Sequence, residues 1–280
     1  MTTHKVKGGG GIQIHVSETG NAKGRPILFI HGFSQCGLCW SRQMNSDLAK
    51  DFRLVAMDLR GHGLSDKPTG AYGDSKLWAD DVNAVIKTLS LDHPILCGWS
   101  YGPLVILDYI RHYGEDEIGG MHFVGGISKL GSEAAMSVIA SEFASLVPAF
   151  FSTDTEESVR GLEALIRMFF ARPADPEVLY LMLGYGISVP VHVRKALFSR
   201  AIDNDDLLRT IRKPVLLSHA IHDTIVKVAV VDQHVAAMPH AQTDLVADTG
   251  HACFWEGASN FNRRLRDFAN GLSRERTAVA

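Results

Sequence analysis

The chain has 280 residues, 46% of them hydrophobic and 21% charged, a balance suited to one large α/β domain. Its net charge of −3 leaves no basic footprint for nucleic acid. The opening MTTHKVKGGGG lacks the apolar segment of a secretory signal, and runs such as Pro26–Ile30 are far too short to span a bilayer, so a cytoplasmic protein with no membrane partner is expected.

Residues 12–16 alternate Ile-Gln-Ile-His-Val, as a half-buried strand does, and Gly8 to Gly11, flanked by Val6 and Ile12, reads as the turn of a hairpin. Runs rich in Val, Ile, Leu and Phe then predict buried strands over 26–31, 53–58, 94–98, 121–125, 214–218 and 243–247. Between them, residues 75–89 place Leu77, Trp78, Val82, Val85, Ile86 and Leu89 on one helical face. Helices are also predicted over 103–112, 226–238 and 256–272, the charges of the last forming a solvated face. This alternation implies an α/β fold, a mostly parallel sheet with helices on both faces. The rhythm breaks between Lys129 and Asp206, a helical stretch punctuated by Pro148, Pro173, Pro176 and Pro190. It reads as a helical insertion over the C-terminal edge of the sheet, leaving 1–128 and 207–280 as the core domain; the alternative is that some of it simply forms core helices.

Four cysteines, at 36, 39, 97 and 253, read as reduced thiols in a chain whose core needs no disulfides. A lone Cys36-Gly-Leu-Cys39 is a weak redox signal, and no second pair or His-x-x-x-His supports zinc, so neither metal nor cofactor is expected.

The sharpest chemical signal is Gly98-Trp-Ser100-Tyr-Gly102, set between an apolar strand and an aliphatic helix. That setting suits a nucleophile elbow, a tight turn that lifts a serine hydroxyl above the sheet. A serine needs a base and a group to orient it. Asp223 and His251 follow in the order Ser…Asp…His, each just beyond a predicted strand, where ligands bind in open α/β sheets. The loop after 121–125 offers no carboxylate, and Asp248 lies too near His251 in sequence to be its partner. The oxyanion of a tetrahedral intermediate would take the backbone N–H groups of Tyr101 and Phe33, with the His31 side chain bracing the loop. Trp40, beside the oxyanion loop, and Phe150 and Phe169 of the insertion are the predicted substrate-binding side chains; most other apolar residues there are expected to pack the cap.

Taken together, these residues resemble the α/β-hydrolase superfamily over nearly the whole chain. His31-Gly-Phe33 resembles its oxyanion loop, Asp58-Leu-Arg-Gly-His-Gly-Leu-Ser65 its DxRGxGxS turn, Gly98 to Gly102 its elbow, and Asp223 and His251 its acid and base. The hairpin and the elbow with its aliphatic helix look most similar to the cofactor-free haloperoxidase and carboxylesterase branch. The resemblance implies an eight-stranded sheet with a cap at the insertion. Pro103 departs from the second glycine many relatives carry there; it fits a first helical turn and is expected to narrow the space near Ser100. Three functions stay open: hydrolysis of carboxylic esters of small to medium apolar acyl or aryl groups through an acyl-enzyme, perhydrolysis or haloperoxidase activity on the same triad, and a low-turnover ligand receptor. The partner expected is a small-molecule ester, and homo-oligomer formation is left open.

Overall fold

In the computed structural model, the backbone is described for residues 1–278 and side chains for residues 1–272. The chain begins with a hairpin, β1 (Thr2–Lys7) against β2 (Gln13–Gly20), in register from Thr2 opposite Glu18 to Lys7 opposite Gln13. Its turn needs glycine at Gly10 and Gly11, whose φ angles of 68° and 81° lie in the left-handed region. Then come β3 (Pro26–Ile30), α1 (Ser41–Met44), α2 (Leu48–Asp51), β4 (Arg53–Met57), α3 (Ser75–Thr88), β5 (Ile95–Trp99), α4 (Gly102–Tyr113) and β6 (Gly120–Val124). Beyond β6 lie β7 (Lys129–Leu130), α5 (Glu133–Ser137), α6 (Ser141–Phe150), α7 (Thr155–Arg167), α8 (Pro176–Ile187), α9 (Val191–Phe198), β8 (Ile202–Asp203) and α10 (Asp205–Leu208). The chain closes with β9 (Val215–Ala220), α11 (Ala229–Ala237), β10 (Gln242–Val246), α12 (Cys253–Glu256) and α13 (Ala258–Ala278).

Eight strands form one sheet in the order β1-β2-β4-β3-β5-β6-β9-β10, parallel from β4 to β10 and antiparallel at the hairpin edge. The central strands β3, β5, β6 and β9 are buried throughout, as their unbroken apolar runs require when helices cover both faces. The last strand differs from its predicted burial. Among the described residues β10 pairs only with β9, at the sheet edge, and Leu245 is 52% exposed. Aromatic packing fills the space beside β3: Phe29 lies 4.9 Å from Trp40, which lies 4.2 Å from Phe254.

The order β4-β3-β5 positions the site. From β3 the chain moves to β4 on one side, then crosses to β5 on the other. Such a reversal opens a crevice at the C-terminal ends of β3 and β5, where α/β sheets bind ligands.

The segment between β6 and β9 is mostly helical, with one departure from the sequence reading. β7 pairs antiparallel with β8, two residues each, too short to show an alternating pattern in sequence. Lys129 Nζ reaches Asp205 at 2.6 Å, and Asn204 Nδ2 donates to the Ser128 carbonyl at 3.0 Å, tying the segment's two ends together. Its interior packs on loops beyond the strands' C-terminal ends. Ser34 Oγ donates to the Gly186 carbonyl (3.2 Å), Ala140 N–H to Ile225 (3.0 Å) and Ala252 N–H to Phe169 (2.8 Å). Among the described residues no helix is long and apolar enough to cross a membrane.

Candidate active site

Ser100 stands at the end of β5 with φ of 58°, a left-handed conformation costly for a residue with a side chain. Two backbone bonds hold it there: Ser100 N–H donates to Val124 O at 2.9 Å, and Ile127 N–H donates to Ser100 O at 3.2 Å. The flanking glycines supply space. A Cβ at Gly98 would sit 2.8 Å from the Gly102 carbonyl carbon and from Ile106 Cδ1, and one at Gly102 would sit 2.6 Å from Ile30 O. The strand, the turn and α4 can therefore close around the serine only with no side chain at either position. Pro103 takes the first turn of α4 and its ring packs toward Gly126, where an added Cβ would lie 2.5 Å from Pro103 Cγ; it is not on the wall of the cavity in front of Ser100.

Asp223 and His251 come together beside this turn. Asp223 Oδ2 accepts from His251 Nδ1–H at 2.7 Å, and its Oδ1 accepts the amides of Ile225 (2.8 Å) and Val226 (2.9 Å). Burial alone would raise the Asp223 carboxyl, but His251, His219 and the Ile225 amide together hold it below the usual carboxylate range. The bond to Nδ1 leaves Nε2 as the imidazole nitrogen available for another partner. His219 Nε2 lies 3.4 Å from the same carboxylate and donates to Val226 O at 2.8 Å, so its proton is already placed. A Cβ at Gly125 would meet His251 Nδ1 at 3.2 Å and Asp223 Oδ2 at 3.4 Å, which sets the pair against the end of β6, the strand that also anchors Ser100. Trp99 Nε1 donates to His251 O at 3.0 Å, so the residue before the serine fixes the histidine loop. Among the described residues the Ser100 hydroxyl makes no side-chain hydrogen bond.

The loop after β3 approaches from the other side. A Cβ at Gly32 would fall 2.9 Å from Ser100 Cβ, and neither Phe33 N–H nor Tyr101 N–H has a backbone acceptor among the described residues. His31 is held as a brace. Its Nδ1–H donates to Gly32 O (2.8 Å), its Nε2 accepts from Leu59 N–H (3.0 Å), and burial lowers its pKa so that this neutral form persists. The Asp58–Ser65 turn supports the same loop, since Asp58 accepts from Gly37 N–H at 2.7 Å and Leu64 N–H at 2.8 Å.

In front of Ser100 lies a cavity of about 220 Å³. Phe33, Tyr101, Ile127, Ile225 and Val226 form its floor and side, while Met136, Phe143, Val147 and Phe198 come from the insertion. None of the three side chains predicted to bind substrate lies on this wall. Trp40 is fully buried between Phe29 and Phe254 in the core. Phe150, fully buried, supports the wall from behind, 5.7 Å from Phe33 and 5.9 Å from Phe143. Phe169 lies on the His251 side, 5.0 Å from Trp99 and 6.0 Å from His251.

The sequence reading also assigned Glu256 to a solvated face, whereas the structure puts its carboxylate in a clamp. Oε2 accepts from Gly250 N–H (2.8 Å) and Ala171 N–H (3.0 Å), and Oε1 from Arg172 N–H (3.2 Å), joining the histidine loop to the insertion. The available signal was its position five residues after His251. The cysteine pair is inert: Cys36 and Cys39 are free and buried, and burial pushes Cys36 up to about 12 and Cys39 well above its ordinary value.

A model of the alpha/beta hydrolase family matches residues 27–264. The chain belongs to the alpha/beta hydrolase family. It is 28% identical to the AB hydrolase superfamily protein YisY of Bacillus subtilis over 95% of this chain and 99% of that protein. A putative non-heme chloroperoxidase of Synechocystis is 32% identical over 38% of each chain. Among solved structures, esterase RhEst1 from Rhodococcus is 36% identical with a TM-score of 0.92, covering 97% of this hydrolase and all of that chain. A putative aryl esterase from Burkholderia cenocepacia is 31% identical with a TM-score of 0.91, covering 98% of this chain and all of that one.

Proposed function

We propose that this hydrolase is a serine esterase acting on carboxylic esters with small apolar acyl or aryl groups, and that residues 129–206 form the cap over its site. The observation that carries the reading is the 2.7 Å Asp223–His251 bond beside a left-handed Ser100 that opens onto an apolar cavity. In this mechanism Ser100 Oγ attacks the ester carbonyl carbon and its proton passes to His251 Nε2. Asp223 holds the imidazole in the tautomer that can accept it and stabilises the imidazolium. The Phe33 and Tyr101 N–H groups receive the oxyanion. The C–O bond to the alcohol then breaks as His251 returns the proton to the departing oxygen, leaving an acyl-enzyme. Water, deprotonated by His251, releases the acid and restores Ser100.

The cavity's size sets the acyl range. An apolar cavity of about 150 Å³ admits benzene, so one of about 220 Å³ takes an aryl ring or short acyl chain with little room to spare. The likeness to a putative aryl esterase agrees with this choice. Peroxide could replace water as the attacker of the same acyl-enzyme, a reading the chloroperoxidase relative favours, and both nucleophiles belong in one assay. The deciding experiment compares wild type and Ser100→Ala on p-nitrophenyl esters, with phosphonate labelling followed by peptide mapping. Turnover should fall on the order of 10⁴-fold or more while the fold is kept, and the label should sit on Ser100. Ester turnover near the wild-type rate in the alanine variant would end the proposal.

A further inference from the structure

We propose that the insertion carries a second binding site, for a small oxyanion, formed by Arg194 of α9 and the N-terminal end of α7. A cavity of about 160 Å³ is walled there by Thr153, Asp154, Thr155, Ser158 and Arg194, closed on its apolar side by Leu162. It shares no lining residue with the cavity in front of Ser100.

Arg194 is the decisive group. Its side chain belongs to a residue only 4% exposed; its Nε and Nη1 are shielded with no hydrogen-bond acceptor among the described residues, which leaves Nη2, likewise without a bond there, as the nitrogen open to the cavity. The other two deeply buried arginines among the described residues each meet a carboxylate, although Arg200 Nε also lacks an acceptor there. Arg60 makes two bonds to Asp81, at 2.7 and 2.9 Å, and also reaches the carbonyls of Gly9, Ala71 and Leu77. Arg200 meets Asp108 at 2.7 Å and the Tyr101 hydroxyl at 3.1 Å. A guanidinium carries five donors and a permanent charge, and a buried one without a partner is strongly unfavourable. Burial lowers the Arg194 pKa, with no neighbouring carboxylate opposing that shift.

The opposite wall offers donors. Asp154 caps α7 by accepting from Glu157 N–H at 2.8 Å, and its carbonyl accepts from Ser158 N–H at 3.0 Å. The Thr155 and Glu156 N–H groups have no acceptor among the described residues, as the first turn of a helix leaves them. Thr153, Thr155 and Ser158, each carrying a hydroxyl, line the same cavity. The Asp154 carboxylate is the opposing charge on it. Glu157 is drawn aside by Ser152 Oγ, and Glu156 pairs with Arg160. One guanidinium and a helix N-terminus against one capping carboxylate suit a singly charged, compact anion, either a carboxylate or a phosphate monoanion. Arg194 lies one turn before Phe198 on α9, and Phe198 lines the cavity in front of Ser100, so occupation has a short path to that cavity.

The test titrates the full-length, ¹⁵N-labelled protein with inorganic phosphate and, separately, with acetate, at constant ionic strength set by chloride. It reads heat by calorimetry and the Arg194 Nε–H resonance by NMR. One saturable equivalent that shifts that resonance is expected, and the tighter of the two anions identifies phosphate or carboxylate as the chemistry. Arg194→Met should weaken binding at least tenfold and melt no lower than wild type without anion, because it removes an uncompensated buried charge. Ser158→Ala, which keeps the arginine, should weaken binding a few-fold and serves as the test if the methionine variant does not fold. Absence of saturable binding by either anion overturns the proposal. So does binding that leaves the Arg194 resonance unmoved, or equal affinity in the variants.

Discussion

Acid should unfold this protein through its histidines before it titrates most of its carboxylates. Burial pushes His62 and His122 down to about 3 and His234 down to about 4. All three are 3% exposed or less and are bonded as neutral rings. His62 Nδ1–H donates to Arg60 O at 2.9 Å, and His122 Nε2 and His234 Nε2 meet the hydroxyls of Ser218 (2.8 Å) and Ser128 (3.0 Å). In the unfolded chain each would titrate near 6.5, so below that pH the unfolded state binds protons that the folded state refuses. Stability is therefore fully present above the unfolded pKa and is lost as pH falls toward the folded one. Between pH 7 and pH 5.5 each ring should contribute a loss of slightly over about 1 kcal/mol, roughly 3–4 kcal/mol for the three. His31 and His219, also lowered by burial, add in the same direction. Against a typical total of about 5–15 kcal/mol this is a large share. Urea unfolding followed by circular dichroism at pH 7.0, 6.25 and 5.5 measures it, and His122→Gln should remove close to one ring's share of the slope. A urea midpoint that does not move between pH 7.0 and 5.5 would refute the reasoning, since these rings could not then be neutral only in the fold.

Three further outcomes test the site. Asp223→Asn should preserve the fold, because its oxygen can still accept the Ile225 and Val226 amides, yet lower ester turnover on the order of 10⁴-fold; the new NH₂ would face His251 Nδ1 and enforce the wrong tautomer, and near-normal kcat would exclude Asp223 as the orienting acid. Glu256→Gln should keep much of the clamp and most activity, whereas Glu256→Ala should lower kcat more than KM by loosening the histidine loop; equal, wild-type kinetics in both would make the clamp purely structural. Phe198→Ala should shift the preferred p-nitrophenyl ester toward longer or bulkier acyl groups, measured as kcat/KM across chain length, while Trp40→Phe should leave that preference unchanged because Trp40 lies away from the cavity.

What the sequence revealed and what it hid follow from how each feature is encoded. The elbow is written in five consecutive residues because its requirements are local: a left-handed serine and two neighbours without side chains, where an added Cβ would come within 3 Å of backbone a few residues away or on β3. The sheet was similarly legible, since a strand covered on both faces must be apolar at every position, as β3, β5, β6 and β9 are. β10 misled because an edge strand can carry the same residue types with one side open. The pocket is encoded differently. Phe143, Phe150 and Phe198 are equally apolar in sequence, and only the rotation of α6 and α9 against the sheet puts two of them on the cavity wall and the third behind it. Trp40, close in sequence to the loop after β3, was drawn away by Phe29 and Phe254, partners brought near by β3 and by the far end of the chain. Glu256 was hidden for the same reason, as two of its three donors lie some 85 residues earlier. Within this family fold, the short-range backbone geometry around Ser100 is therefore readable from the chain. The shape of the cavity depends on how helices of the insertion are turned, so a substitution that leaves the elbow untouched can still change what fits in front of Ser100.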